Sequence, residues 1–172
     1  MRPSATQCLL LSSLLAVLVI LTGCRSVQPL TSADGTLAAA LLPASGAPAA
    51  QWQVAISMRQ ADLTGICLLK TDADTVRGTL VNEFGIRALS FIVSPGREKV
   101  QLRELAPFLD HWYIRRTLRD DLDFLFRATP ADLGTPVGNR LITRNDRGGL
   151  TLTNVKRGVV YDFSPMDGMP EE

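Results

Sequence analysis

The chain has little with which to do chemistry. One of its 172 residues is histidine and three are cysteine, and each shortage closes off a class of function. His111 alone cannot assemble a metal site, which needs several nitrogen, sulfur or oxygen ligands converging on one ion. No Gly-x-Ser-x-Gly turn supplies the nucleophile of a Ser-His-Asp hydrolase. Glycine-rich phosphate loops are absent too, since Arg147-Gly148-Gly149 falls between two strand-like runs and not before a helix. Charge of one sign is also missing: 18 Lys and Arg meet 17 Asp and Glu. A net charge of +1 forms no basic face for nucleic acid. The composition therefore implies no cofactor, no nucleic-acid partner and no enzyme.

What the chain has in one place is hydrophobicity. An uncharged apolar run from Leu9 to Leu21 follows Arg2 and ends in Leu21-Thr22-Gly23-Cys24. A charged start, a short apolar stretch and small residues before a cut make a secretory signal. The run is shorter than the roughly 20 residues that a membrane span needs. Its last four residues resemble the lipobox of bacterial lipoproteins. That resemblance implies removal of residues 1–23, a diacylglyceryl group on Cys24 and an acylated amino terminus, with palmitate the expected acid. Buried acyl chains contribute about 0.8 kcal/mol per methylene, so such an anchor holds a membrane without a transmembrane helix. Arg25, standing where aspartate commonly retains such proteins at the inner membrane, implies the periplasmic face of the outer membrane.

With Cys8 removed and Cys24 lipidated, Cys67 has no partner for an intramolecular disulfide. It lies in Gly65-Ile66-Cys67-Leu68-Leu69, where a free cysteine behaves as a small buried hydrophobe.

Residues 24–50 read as the lipidated start and a flexible tether, spanning about 28 Å. Within it, Thr36 to Leu42 reads as a short helix capped by Ser32 or Asp34 and stopped by Pro43. A single periplasmic domain is expected over 51–165, and an acidic disordered tail over 166–172. The domain begins with period-two alternation, Trp52, Val54, Ile56 and Met58 against Gln53, Ala55 and Ser57, which predicts a strand with one buried face. A turn at Asp62-Leu63-Thr64-Gly65 then leads into Thr64–Lys70. Further strands are expected over Val76–Asn82, Ile86–Val93 and Lys99–Glu104, separated by Asp72-Ala73-Asp74, Phe84-Gly85 and Ser94-Pro95-Gly96. Short connections between five strands predict an antiparallel meander.

One helix is expected between Pro107 and Arg127. Ile114, Leu118, Leu122 and Leu125 form its apolar stripe, with Phe126 beside it, and Thr129-Pro130 stops it. Asp120, Asp121 and Asp123 read as solvated partners of Arg115, Arg116, Arg119 and Arg127. His111, three residues before Ile114, reads as half-buried near the helix start. Three more strands follow at Leu141–Arg144, Leu150–Val155 and Val159–Phe163, the first two joined through Asn145 to Gly149. The order predicts an α+β fold, a curled antiparallel sheet of about eight strands wrapped around one amphipathic helix as a half-open β-barrel. Its apolar cavity would be lined by Trp52, Val54, Ile56, Leu89, Phe91, Val93, Leu150 and Leu152, opposed by Ile114, Leu118 and Leu122. Phe84 at a hairpin tip is expected to fold back onto the core; exposed, it would suit contact with a membrane or an acyl chain.

The lipobox, Gly78-Thr79-Leu80-Val81-Asn82-Glu83-Phe84-Gly85-Ile86-Arg87-Ala88-Leu89, Pro107-Phe108-Leu109-Asp110-His111-Trp112 and Gly158-Val159-Val160-Tyr161 together resemble the LolA/LolB-like superfamily, in its branch of outer-membrane lipoprotein acceptors. The resemblance implies a half-open barrel closed by helices, lipid binding in an apolar cavity, and acyl chains or lipoproteins as partners. Phe84 is the positional candidate for that family's apolar prong. The expectation is a non-enzymatic lipid carrier or acceptor, anchored to the membrane by its own lipid. The alternative is a lipid-anchored interaction module with a filled core, whose partner is an envelope protein.

Overall fold

The structure is a computed structural model that describes residues 35–59, 61–94 and 99–166. The expected signal peptide at 1–23, the lipidated Cys24, the Pro95-Gly96 break and the tail from 167 lie outside the described residues. The described residues fall within one compact unit, which holds the core described below.

Among the described residues, eight strands and one α-helix follow one another in the expected order: β1 (Ala50–Met58), β2 (Ala61–Asp72), β3 (Thr75–Asn82), β4 (Arg87–Val93), β5 (Gln101–Leu105), α1 (Trp112–Arg127), β6 (Arg140–Arg144), β7 (Leu150–Asn154) and β8 (Val159–Pro165). They form an α+β fold with a single open sheet, ordered β5-β4-β3-β2-β1-β8-β7-β6. Every named pairing is antiparallel. The five-strand meander is as its short turns require, while the closing contact, β1 against β8 with Val54 opposite Phe163, joins the two ends of the domain. The helix is the connection between the two edge strands.

Alternation decides what is buried. Val54 and Ile56 on β1, Leu69 on β2, Leu80 on β3, Leu89 and Phe91 on β4, and Leu150, Leu152, Tyr161 and Phe163 on β7 and β8 all enter one core with Leu118, Leu122, Leu125 and Phe126 of α1. Each such side chain contributes about 1.5–3 kcal/mol on burial. Cys67 belongs to this core as expected, and burial pushes its thiol pKa up to about 12 against a smaller opposing hydrogen bond with the Thr79 backbone.

Several boundaries depart from expectation. The first hairpin turns just after Met58, which pairs with Ala61, so Asp62 to Gly65 are strand and not turn. Gly65 is small because a Cβ there would stand 2.1 Å from the carbonyl oxygen of Val81 on β3; close backbone approach within a strand is the other common use of glycine. The helix opens at Trp112 rather than Pro107. Pro107–Leu109 is a separate 3-10 turn, and Asp110 and His111 leave helical geometry before α1 starts. Its end is as expected, with Thr129 extended before Pro130.

The expected tether is shorter than residues 24–50. A 3-10 turn at Leu37–Ala40 is packed, with Leu37, Ala38 and Leu41 buried. Leu37 donates its backbone N–H to the Ala128 carbonyl beyond α1 at 2.7 Å, and the Trp52 indole donates to the Leu41 carbonyl at 2.9 Å. The packed domain therefore begins by Leu37 and not at Gln51.

Candidate functional site

A cleft of about 350 Å3 lies where the start of α1 meets the ends of β1 and β8. Leu118 and Tyr161, both fully buried, lie at its base, and Met58, Ile114 and Val159 wall it. Its mouth carries Phe108 and Tyr113, which are exposed although apolar or aromatic. Trp112 beside them is 74% exposed and meets the Tyr113 ring edge-on, and His111 stacks on the same Tyr113 ring with centroids 5.7 Å apart. His111 is thus exposed at the helix start, because the backbone is extended there and turns the residue off the apolar stripe.

Thr117 and two cations, Arg59 and Arg157, complete the cleft's lining. Gly158 positions the first of these cations. Its φ is +64°, and a Cβ there would sit 3.0 Å from the Arg59 Nε and 3.3 Å from its Cγ, so the arginine stem lies over bare backbone. Neither guanidinium has an acidic partner among the described residues.

Behind the cleft is a buried charge. Asp121 on α1 is 0% exposed, not solvated as its neighbours suggest. It accepts hydrogen bonds from Arg140 Nε at 2.6 Å, Asn154 Nδ2 at 2.8 and 2.9 Å, and the Tyr161 hydroxyl at 3.1 Å. A carboxylate satisfied by three donors from three strands is tolerated inside a core and fixes the helix over β6, β7 and β8. Burial, then the adjacent Asp121 charge, raises the Tyr161 pKa well above its usual value of 10.0. Asp120 and Asp123 face a different way: Lys99 pairs with Asp120 at 2.9 Å, and the Val100 backbone N–H donates to Asp123 at 3.1 Å. Of the expected arginine partners, Arg119 pairs with Asp120 at 3.4 Å and Arg127 with Asp123 at 2.8 Å, while Arg116–Asp120 is long at 3.8 Å.

Of the residues expected to line a cavity, the structure brings only Ile114 and Leu118 to this cleft. Val54, Ile56, Leu89, Phe91, Leu122, Leu150 and Leu152 are packed in the core, and Trp52 and Val93 lie against it. Sequence reasoning missed Met58, Arg59, Tyr161 and Arg157. Met58 closes an alternating run and was visible as its last member; the cluster itself depends on β1 meeting β8, for which no local signal exists.

Phe84 does not fold back. It is 76% exposed at the β3–β4 tip, beside Ile86, also exposed. The tip is rigidly built: Asn82 Oδ1 accepts the backbone N–H groups of Phe84 and Ile86 at 3.0 and 2.9 Å, and Gly85 takes φ +75°. That bracket holds the Phe84 backbone away from the core.

Compared with known protein families, known proteins and solved structures, the chain matches none. The reading of its function rests on residues and geometry.

Proposed function

We propose that this protein is a non-enzymatic, lipid-anchored envelope protein that holds one acyl chain in the cleft at the start of α1. The observation that carries the reading is the cleft itself. Its base and walls are Leu118, Tyr161, Met58, Ile114 and Val159, and its mouth is aromatic. A volume of about 350 Å3 stands at the small end of ligand sites, which run from about 300 to 1,000 Å3. It suits a single chain and not the several chains of a triacylated cargo. Affinity would come from apolar area removed from water, with the sheet curling around α1 as a half-open barrel to shelter it. Lipidation of Cys24 would keep the domain within reach of the outer membrane, where acyl chains or lipoproteins are at hand, as the LolA/LolB-like resemblance also implies.

A second reading has its own observation. The sheet's inner face is occupied by packed side chains, as an interaction module for an envelope protein would have it. Native mass spectrometry of residues 24–172 carrying Cys24→Ser, incubated with a fluorescent fatty acid, separates the two. Uptake that is displaced by unlabelled acid and lost in Leu118→Trp, which fills the cleft, supports acyl binding. No uptake, with no lipid copurifying, favours the interaction module.

A further inference from the structure

The cleft does not end at its apolar walls. Thr117 and Arg157 also line a second hollow of about 130 Å3, which is polar where the first is apolar. Arg116, Arg140, Lys156 and Arg157 bring four cations to this hollow, and Asp120 is the one acid lining it. Two of the cations are already engaged: Arg140 holds Asp121 at 2.6 Å, and Arg116 approaches Asp120 at 3.8 Å. Asp120 is claimed more closely by Lys99 and Arg119. Lys156 and Arg157 have no acidic partner among the described residues, and neither does Arg59 on the apolar side of the shared wall.

We infer that the ligand is a single-chain amphiphile with an anionic head, its chain in the apolar cleft and its head against Arg157 and Lys156, with Arg59 at the rim. This deepens the reading above and rests on it. Apolar surface and unpaired cations that share a wall recognise the two ends of one molecule, and a neutral lipid would leave the cations without a counter-charge. Arg157 is the hinge of the arrangement because it lines both hollows. Thr117, the other shared residue, donates its hydroxyl to the Tyr113 carbonyl at 2.8 Å, so it forms a fixed wall between them.

The test is calorimetric titration of residues 24–172 carrying Cys24→Ser, which contain the whole compact unit. The probes are dodecyl phosphate, monolauroylglycerol and inorganic phosphate alone. Two exposed charge contacts at roughly 0.5–1 kcal/mol each correspond to about tenfold tighter binding of dodecyl phosphate than of monolauroylglycerol at low salt. The ratio should shrink as salt rises. It should fall to about one in the Lys156→Gln, Arg157→Gln double variant and persist in Lys70→Gln, a cation remote from both hollows. Equal binding of the two amphiphiles by the unaltered protein would overturn the anionic head while leaving acyl binding standing. Binding of neither would remove acyl binding, and this inference with it. Inorganic phosphate bound as tightly as dodecyl phosphate would show an anion site unrelated to a chain.

Discussion

The ring of Phe91 occupies the place where a side chain on Gly78 would be. The two face each other across β3 and β4, and a Cβ on Gly78 would lie 2.1 Å from the ring's Cζ. From there Phe91 reaches the ring of Phe126 on α1, with centroids 5.5 Å apart. A glycine on one strand thus lets an aromatic side chain tie the sheet to the last turn of the helix.

Gly78→Ala should therefore cost about 1–3 kcal/mol, the usual penalty for forcing extra volume into a packed core. Urea denaturation checks it. Adding Phe91→Leu should recover part of the loss, because the two changes share one contact and are not additive. A loss equal to the sum of the single variants would show that the ring is not what the new methyl meets.

Asp121→Ala removes the acceptor shared by Arg140, Asn154 and Tyr161. It should destabilise by about 3–5 kcal/mol, as expected when one side of a buried ionic network is deleted. Asp121→Asn keeps an accepting oxygen and should cost less. The midpoints of urea unfolding rank the three proteins, and an alanine variant as stable as the parent would remove the network from the account of how α1 is held.

Stability should fall at both ends of the pH scale. Burial pushes the Asp120 and Asp162 carboxyls upward, yet Lys99 and Arg119 around the first, and Ser164, Thr151 and Asn145 around the second, outweigh it and hold both below the usual carboxylate value of 3.8. The folded chain then binds fewer protons than the unfolded chain in acid, so this stability is present above about pH 5 and is lost as the pH falls through the folded values. Tyr161 and Cys67 are displaced upward. They add stability that is full below about pH 8 and is lost as the pH rises, because the unfolded groups ionise first. Urea midpoints from pH 3 to 11 should plateau in between, and Tyr161→Phe should flatten part of the alkaline limb.

Phe84→Ser should change stability by no more than about 0.5 kcal/mol, as surface substitutions do. A loss above about 2 kcal/mol would mean that the ring folds inward after all. The same variant, compared with the parent for binding to lipid vesicles, measures whether the exposed tip touches a membrane.

Cys67 should resist a thiol reagent at pH 8 in the folded protein and react once urea unfolds it. It is 2% exposed, its thiol is pushed up to about 12, and the thiolate is the reactive form. The assay needs Cys8→Ser and Cys24→Ser so that only one thiol is counted.

Much of this fold was legible because its signals are local. Alternation in Trp52, Val54, Ile56 and Met58 marked a strand, Pro130 ended a helix, and Asn145 to Gly149 closed a hairpin. The site was not legible in the same way. Asp121 stands three residues after Leu118 and four before Leu125, which puts it on the buried face, but its partners come from strands after the helix and leave no trace near it. The position of Met58 beside Arg157 and Val159 depends on the first strand pairing with the last. Phe84 was misplaced because hydrophobicity argued for burial, while the Asn82 bracket that fixes the tip is a matter of backbone geometry.

The pairing of β1 with β8 also sets a timetable for folding. β1 lies inside the sheet, between β2 and β8, so one side of it stays unpaired until the final strand arrives. Contacts between such distant parts of a chain form slowly, since loop closure must precede any gain from them. A chain emerging amino terminus first would hold an open five-strand half-sheet until Val159–Pro165 is delivered. Truncation before β8 would leave that half-sheet with the inward edge of β1 bare, an aggregation hazard.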